Sequence, residues 1–342
     1  MAEKLKMAIV GAGIWGENHA RIYKSHPFAQ IQAICDMNRE KAQAIAARVG
    51  IPEVYDNYDE MFEKADCDAV AIVTPDFAHA DIAVSAAAHH KHILIEKPLA
   101  TTREDVYRIM DAVEKYGVRG MVDLHNRWSP PFNTAHQAVE NGELGTIVSA
   151  YMRLNDIKWV ATDMLSWSAK SSILWFLGSH SLDTLRWFFQ DEVKRVYSVS
   201  TEGILRSLGV QTVDQYLTTI EFEHGGIAQM ENGWITPNAN PCVNDIKFNI
   251  TGDKGMIAID ASNHNLIQKY TDEKVVVPDI IVQDSIFGKP KGFAFESIRG
   301  FVDCLLDGTE FPVTLRDAAN TSLAILAIME SAQKREPVEV KY

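Results

Sequence analysis

The chain has 342 residues, enough for two domains, because single hydrophobic cores stop growing at about 250 to 300 residues. Hydrophobic residues make up 46% and charged residues 23% of the sequence, as in a folded globular protein, which excludes a disordered or low-complexity chain. The 46 acidic residues outnumber the 33 basic ones, and the net charge of −13 disfavours nucleic acid and anionic membranes as partners.

The first predicted element is a strand over residues 7–10 that runs into a glycine-rich turn. The turn reads G-A-G-I-W-G over residues 11–16, and residues 17–26 have a composition compatible with a helix. A second strand is predicted over residues 30–36, and it ends at Asp36, 20 residues after Gly16. Strand, glycine turn, helix and distant acid are the pattern of a dinucleotide-binding unit, in which the acid reaches the ribose hydroxyls of NAD.

The three glycines of this turn are predicted to have different physical roles. Gly11 permits the tight turn, Gly13 lets the backbone approach the pyrophosphate, and Gly16 lets the helix pack on the strand. Glycines also serve ordinary turns, so the flanking strand, helix and acid are what favour dinucleotide binding. We expect any side chain at Gly13 to block the cofactor.

Asp36 predicts NAD rather than NADP as the cofactor. Its carboxylate should hydrogen-bond the ribose diol and repel a 2′-phosphate. Arg39 follows closely enough to pair with that phosphate, and it is therefore the residue that would favour NADP.

Strands and helices continue to alternate up to residue 124. Strands are predicted at 69–73, 92–95 and 120–124, and helices at 78–89 and after Thr102. This alternation predicts a doubly wound, mostly parallel sheet whose ligand lies beyond the carboxyl ends of the strands. Two polar segments, Thr74-Pro75 and Glu96-Lys97-Pro98, follow successive strands and are expected where cofactor and substrate meet. The alternative is that they are ordinary turns containing proline.

Around Glu96-Lys97-Pro98 the sequence resembles a known family of dehydrogenases. The matching motifs are, in chain order, A-I-V-G-A-G-I-W-G at 8–16, Asp36, T-P-D at 74–76 with His79, H-I-L-I-E-K-P-L-A at 92–100, N-R-W-S-P at 126–130 and G-S-H-S-L-D at 178–183. In order and spacing they are similar to those of the glucose–fructose oxidoreductase, inositol dehydrogenase and rhizopine catabolism family, written Gfo/Idh/MocA. The resemblance covers essentially the whole chain.

The resemblance implies a Rossmann domain with a doubly wound parallel sheet over residues 1–124 and a second domain over 125–342. The second domain would be built on a large, mainly antiparallel open sheet that binds substrate and makes homodimer or homotetramer contacts. The last helices would pack back on the first domain. The later sequence agrees, with strands predicted at 147–154, 216–222, 227–234, 246–251 and 256–260 and helices at 171–189, 293–306 and 315–332.

The resemblance also assigns residues to the ligands. The implied cofactor-binding set is Gly11, Gly13, Ile14, Trp15, Gly16, Asp36, Thr74, Pro75, His79, Glu96, Lys97 and Asn126. The implied substrate-binding set is Lys97, Trp128, Asp156, Lys158, Trp167, Phe176 and His180, with Pro98 and Asp183 in supporting positions. Each tryptophan taken alone is more often a core residue than a surface that stacks on sugar.

Lys97 and His180 are the implied catalytic residues. By the resemblance, Lys97 lies beside the nicotinamide, where its ammonium stabilises negative charge on the reacting oxygen; an isolated lysine is usually only a solvated charge. His180 is the implied general base, because neutral imidazole accepts a proton near neutral pH. Without the resemblance, His180 would be interpreted as a buried core histidine whose hydrogen bonds are made within the protein. Asp183 either orients this imidazole or makes a structural hydrogen bond.

Phe176 departs from the family pattern, in which many relatives carry an aspartate one helical turn before the histidine. A phenyl ring cannot accept a proton, hydrogen-bond a polyol or offset the charge of a lysine. The site is therefore expected to be more apolar, which favours a glycoside or another partly apolar substrate over a free polyol.

Two polar clusters are interpreted as structural. His89, His90 and His92 fall across a helix end and the next strand, so a solvated helix terminus is expected there rather than a metal site. Acidic residues at 56–60 are expected at a helix start after Asn57. No metal is expected.

The favoured hypothesis is an NAD-dependent dehydrogenase that transfers hydride between nicotinamide and a secondary alcohol or ketone of a sugar, polyol or glycoside. One alternative is a glycoside-modifying enzyme that uses bound NAD for transient oxidation and elimination. An alternative of another class is a noncatalytic regulatory protein that senses NAD(P). The four cysteines show no paired spacing and the apolar run at 7–15 fits no signal peptide or membrane span, so a cytoplasmic location is expected.

Overall fold

The structure is a computed structural model, and it describes residues 4–262, 266–273 and 275–342. Contacts between Cα atoms divide the chain into two compact units, Met1–His125 with Ile281–Ser322 and Asn126–Ile280 with Leu323–Tyr342. The predicted limits, 1–124 and 125–342, differ from these units at residue 125 and over residues 281–322. No helix within the described residues is long and apolar enough to cross a membrane.

Unit 1 begins with alternating strands and helices. In chain order they are β1 (Leu5–Val10), α1 (Ile14–Ser25), β2 (Ala29–Cys35), α2 (Arg39–Val49), β3 (Glu53–Tyr55), α3 (Tyr58–Lys64), β4 (Ala69–Ile72), α4 (His79–Ala88), β5 (His92–Ile95), α5 (Arg103–Tyr116) and β6 (Gly120–Val122). The six strands form one sheet in the order β3-β2-β1-β4-β5-β6, and every pairing is parallel. This confirms the predicted doubly wound sheet.

The helix limits of unit 1 follow local signals in the sequence. The Asn38 side chain caps α2 by accepting a hydrogen bond from the Lys41 N–H at 3.1 Å. α2 ends at Gly50, whose φ of 85° is the left-handed conformation that glycine adopts without strain. Asn57 caps α3 in the same way through the Glu60 N–H, at 2.9 Å, so the predicted helix start after Asn57 is confirmed.

Unit 2 is built on a second sheet. Its elements up to residue 280 are α6 (Pro130–Glu140), β7 (Ile147–Ile157), α7 (Ser179–Phe189), β8 (Val193–Thr201), α8 (Ile204–Ser207), β9 (Gln215–Phe222), β10 (Ile227–Thr236), β11 (Asn244–Gly252), β12 (Met256–Asp260), β13 (Lys269–Tyr270) and β14 (Val275–Val276). The prediction had omitted α6 and β8. Their sequences mix polar and apolar residues, and their burial depends on neighbours elsewhere in the chain.

The remaining elements divide between the units. They are β15 (Asp284–Ile286), β16 (Lys289–Lys291), α9 (Phe293–Asp307), α10 (Leu315–Lys334) and β17 (Val338–Glu339). α9 belongs to unit 1, where the Ser297 hydroxyl donates to Asp123 at 2.5 Å. β17 closes the sheet of unit 2, whose order is β12-β11-β7-β10-β9-β8-β17. Its pairings are antiparallel except that of β10 with β7, which confirms a mainly antiparallel sheet.

One face of the unit 2 sheet carries the core. Buried side chains of the central strands, among them Met152, Phe222 and Phe248, belong to one apolar cluster with Phe188 of α7 and Ile325 of α10. Alternate residues of the same strands point to the other face, since side chains in a strand alternate. That face exposes apolar side chains, namely Tyr197, Val199, Leu217, Ile227 and Met256.

Candidate functional site

The glycine turn between β1 and α1 has the geometry that its sequence predicts. Gly11 has a φ of +113°, and a Cβ there would overlap the Val73 carbonyl oxygen. A Cβ at Gly16 would overlap the Gly11 carbonyl oxygen. At Gly13, by contrast, a Cβ would meet no atom within 4 Å. Gly11 and Gly16 are therefore required by the fold itself, whereas Gly13 borders open space.

The N-terminus of α1 faces that space. Gly13 is its N-cap residue and supplies no side-chain hydrogen bond, while Ile14, the first helical residue, is 70% exposed. The first N–H groups of a helix lack intrahelical partners and carry partial positive charge, so they bind phosphate groups well. An uncapped terminus beside an open glycine fits the pyrophosphate of a dinucleotide.

Asp36 is held in place at the carboxyl end of β2. Its Oδ2 accepts a hydrogen bond from the Ala12 N–H at 2.7 Å, and its Oδ1 accepts one from the Asn38 N–H at 2.8 Å. Each carboxylate oxygen can accept a second bond, so the group remains able to bind ribose hydroxyls. The Arg39 Nη1 lies 3.4 Å from the Asp56 Oδ2, so the guanidinium is paired with another acid.

His79 joins the loops that follow β4 and β5. Its Nδ1 lies 2.8 Å from the Pro98 carbonyl oxygen, and its Nε2 lies 3.1 Å from the Thr74 carbonyl oxygen. The residue is fully buried. Burial lowers the pKa of this imidazole, although hydrogen bonds to the two carbonyls oppose that shift. Both ring nitrogens thus contact protein backbone. Any effect of His79 on the cofactor would therefore come from positioning these two loops.

Glu96 follows β5, and its side chain is held in place by a residue of α1. The His19 Nε2 lies 3.0 Å from the Glu96 Oε1, and its Nδ1 lies 3.2 Å from the Tyr23 hydroxyl. His19 and Tyr23 are fully buried, and burial raises the pKa of the Tyr23 hydroxyl. Lys97, the next residue in the loop, is partly exposed. This contact holds Glu96 and the start of the Lys97 loop, and the sequence motifs did not reveal it.

His19, Glu96 and Asp123 are a group of ligand-type side chains whose donor atoms lie within 4.8 Å of one another. Each has a protein partner, since His19 bonds to Tyr23 and Glu96 and Asp123 accepts from Ser297. The absence of a resident metal stays a prediction.

His89 and His92 have backbone partners. The His89 Nδ1 lies 2.9 Å from the Ser85 carbonyl oxygen at the end of α4. His92 begins β5, and its Nδ1 accepts from the Arg119 N–H at 3.0 Å. These contacts belong to a helix end and a strand start, as the sequence had indicated.

Trp15 belongs to an aromatic cluster of unit 1. Its ring stacks on His125 at 6.1 Å between centroids and meets Phe295 edge-on at 6.3 Å. Phe293 completes the cluster at 5.7 Å from His125. Trp15, which lies within the glycine turn, is therefore fixed by His125 and by Phe295 near the start of α9.

In unit 2, His180 lies in the first turn of α7 and is 4% exposed. The predicted helix over 171–189 is interrupted, because residues Leu174–Gly178 form a π-helical turn before α7 begins. Such wider turns are frequent at functional sites. The next residue, Ser181, is tied to the sheet through the amide of buried Asn232, which donates to its hydroxyl at 2.9 Å. Asn126 donates to Thr184 of the same helix at 3.3 Å.

Asp183 has a strong partner that sequence patterns did not reveal. The Arg127 Nε and Nη2 donate to its two carboxylate oxygens at 3.0 and 2.6 Å. Asp183 is fully buried, and such a bidentate pair is strong and directional. The pair fastens α7 to the N-R-W-S-P motif, which favours the structural alternative for Asp183. The orienting role toward His180 stays a prediction.

Phe176 lies in the π-helical turn and contacts two tryptophans. Its ring centroid is 6.4 Å from that of Trp167, edge-on, and 6.4 Å from that of Trp234, with the planes 30° apart. Phe176 and Trp167 are partly exposed, whereas Trp234 is fully buried. An apolar aromatic surface therefore precedes His180 by one turn.

The remaining substrate candidates differ in exposure. Asp156 lies near the end of β7, is fully buried, and accepts a hydrogen bond from the Asn244 side-chain amide. Lys158, two residues later, and Trp128 are partly exposed. Their contacts with a substrate stay predictions.

Two family models match this chain, one within each unit. A sequence model described as "Oxidoreductase family, NAD-binding Rossmann fold", of the Gfo/Idh/MocA family, matches residues 5–124. The model of a Gfo/Idh/MocA C-terminal domain matches residues 132–258.

Named relatives and solved structures agree with this assignment. The scyllo-inositol 2-dehydrogenase (NAD(+)) of Bacillus subtilis (strain 168) is 26% identical, over 99% of this chain and 97% of its own length. The levoglucosan dehydrogenase of Pseudarthrobacter phenanthrenivorans is 28% identical, over 78% and 76%. The crystal structure of scyllo-inositol dehydrogenase from Lactobacillus casei with bound NAD(H) and scyllo-inositol superposes with a TM-score of 0.83 at 21% identity, covering 98% and 99% of the two chains. The chain belongs to the Gfo/Idh/MocA family of oxidoreductases.

Proposed function

We propose that this protein is an NAD-dependent dehydrogenase that acts on a secondary alcohol of a sugar, polyol or glycoside. The observation that carries the proposal is the open glycine turn at Gly13 with the fixed carboxylate of Asp36. The named relatives include dehydrogenases of an inositol and of levoglucosan, which supports both the reaction and the substrate class.

We assign the chemistry to two residues. NAD, when bound, supplies the nicotinamide that accepts hydride from the substrate carbon. The ammonium of Lys97 would stabilise negative charge on the reacting oxygen. The imidazole of His180 would accept the hydroxyl proton. The contacts of Asn232 with Ser181 and of Arg127 with Asp183 support this role, because they fix the helix that carries His180.

We propose that the substrate presents an apolar face to the ring of Phe176. The support is the aromatic cluster formed by Phe176, Trp167 and Trp234, since sugar rings stack their C–H faces on aromatic rings. A glycoside or another partly apolar sugar fits such a surface better than a polyol that is polar on every side.

We also propose a homodimer or homotetramer formed through the open face of the unit 2 sheet. Its exposed apolar side chains, such as Leu217 at 48% and Ile227 at 52%, lie across neighbouring strands and would be covered by a second copy. The four cysteines carry no disulfide bond, which supports a cytoplasmic location. Light scattering coupled to size-exclusion chromatography measures the mass directly.

The central experiment is a substrate panel in which NADH formation is measured. Inositols, free sugars, sugar acids and glycosides are each offered with NAD, and the dehydrogenase should reduce NAD with at least one class. Turnover of a glycoside without net NADH would instead favour transient oxidation and elimination. Binding of NAD with inactivity across every class would favour the regulatory protein, which the named relatives do not support.

A further inference from the structure

A second carboxylate lies beside the one predicted to bind ribose. β2 and β3 are neighbouring parallel strands in which Cys35 pairs with Tyr55, and the Asp36 N–H donates to the Tyr55 carbonyl oxygen at 3.2 Å. Asp36 and Asp56 are the next residues on each strand, so both leave the sheet at the same edge. The pKa of the Cys35 thiol is raised to about 12, by burial first and then by these two carboxylates. Two negative charges therefore share the end of β2.

The cation nearest in sequence to this edge is already paired. Arg39 is the first residue of α2, and its Nη1 lies 3.4 Å from the Asp56 Oδ2. Asp36, in contrast, accepts hydrogen bonds from the backbone N–H groups of Ala12 and Asn38. The two acids thus have separate tasks, because one is fixed toward the glycine turn while the other neutralises the guanidinium.

We propose that Asp56 is a specificity-determining residue that, with Asp36, restricts the cofactor site to NAD by withholding Arg39 from a 2′-phosphate. The inference rests on the proposed use of a dinucleotide. A phosphate monoester carries about two negative charges at neutral pH. It would have to draw Arg39 away from Asp56 and then remain beside two carboxylates. The ribose diol of NAD is uncharged, so it neither has to break the pair of Arg39 with Asp56 nor is repelled by the carboxylates.

The ion pair of Arg39 and Asp56 need not be strong to have this effect. The Arg39 and Asp56 side chains are 53% and 48% exposed, and pairs of that kind contribute little to stability. Removing the Asp56 charge should therefore leave the fold intact. It should also leave a guanidinium at the edge of the site, where arginine binds phosphate oxygens well.

The test is calorimetric binding of NAD and NADP to the full chain and four variants, Asp56→Asn, Arg39→Ala, the double variant, and Asp66→Asn as a control. Asp66 is another exposed aspartate of unit 1, paired with Lys6 at 2.7 Å. The control therefore removes the same charge from a different ion pair. Asp56→Asn should tighten NADP binding by about tenfold while changing the affinity for NAD by less than about twofold. The double variant should lose that gain, and Asp66→Asn should bind both cofactors as the wild type does.

Four outcomes would overturn the inference. Unchanged NADP affinity in Asp56→Asn would remove Asp56 from the choice of cofactor. A gain that persists in the double variant would mean that Arg39 is not the group released, and an equal gain in Asp66→Asn would reduce the effect to net charge. A wild type that binds neither dinucleotide overturns the proposed function together with this inference, whereas tight NAD binding with no effect of Asp56→Asn overturns the inference alone.

Discussion

Replacing Gly13 separates cofactor binding from folding. Gly13 has a φ of −82° and a ψ of −168°, which alanine adopts without strain, and a Cβ would meet no protein atom within 4 Å. Gly13→Ala should therefore leave the unliganded fold unharmed. Because the methyl group occupies the space in front of the α1 N-terminus, it should weaken NAD binding by at least about tenfold, and Gly13→Val should abolish it.

The expected stability change has an unusual sign for a substitution in a binding motif. Glycine replaced by alanine at a compatible backbone position stabilises a protein by about 0.4 to 1 kcal/mol, because the unfolded chain loses conformational freedom. This corresponds to a rise in Tm of about 1 to 4 °C. Gly11→Ala is the matched comparison. Its φ of +113° and the overlap with the Val73 carbonyl oxygen should lower the Tm of that variant with or without cofactor.

Thermal unfolding with and without NAD measures both effects. At a concentration of 100 Kd, a ligand stabilises the native state by about 2.7 kcal/mol, so NAD should raise the Tm of the wild type clearly. Gly13→Val should show no such rise. If Gly13→Ala instead lowers the Tm of the unliganded protein by several degrees, the glycine is structural. If the NAD-induced rise survives in Gly13→Val, the pyrophosphate does not bind at this turn.

Four further predictions concern the chemistry and the pH response. Lys97→Ala should keep its secondary structure and bind NAD but lose most turnover in steady-state assays, and near-normal turnover would remove Lys97 from the mechanism. His180→Asn should lower turnover by about a hundredfold or more. If the imidazole accepts the proton, the wild-type rate of alcohol oxidation should fall at acidic pH, and this fall should be absent in the variant. A variant that keeps it would assign the proton to another group. Phe176→Asp should shift the ratio of kcat/KM values from glycosides toward free polyols, and an unchanged ratio would show that this ring does not contact substrate. Burial lowers the pKa values of His92 and His136, so the folded state binds fewer protons than the unfolded chain. The Tm should therefore fall as the pH drops below about 6.5, and a Tm constant down to pH 5 would contradict this.

Much of unit 1 was predictable because its signals are local. The turn at residues 11–16 needs glycine for reasons that lie within the turn and its neighbouring strand, and the structure places those constraints at Gly11 and Gly16. Helix caps such as Asn38 and Asn57 act on N–H groups three residues away. Strands buried on both faces are apolar throughout, so β4 and β5 can be recognised along the chain, whereas the short and only partly buried β3 was not predicted.

The candidate site was predictable only in part, because the family motifs name residues without naming their partners. The motif T-P-D with His79 pointed to cofactor contact, which stays a prediction, but it did not reveal that the two ring nitrogens of the buried imidazole lie against the carbonyl oxygens of Thr74 and Pro98. Asp183 was a candidate to orient His180, a role that stays a prediction, and the motif did not reveal that Arg127 donates to both of its carboxylate oxygens. Helical periodicity predicted one continuous helix, whereas residues Leu174–Gly178 form a wider turn.

The sequence alone indicated which residues are candidates to bind a dinucleotide, while the tertiary structure decided which protein groups those side chains contact. Arg39 illustrates the difference. Its position after Asp36 suggested a phosphate ligand, yet the return of the chain through β3 brings Asp56, 17 residues away, to its guanidinium. Local patterns reflect interactions over a few residues, whereas the partner of a side chain depends on where distant segments return, which is set by the packing of the whole unit.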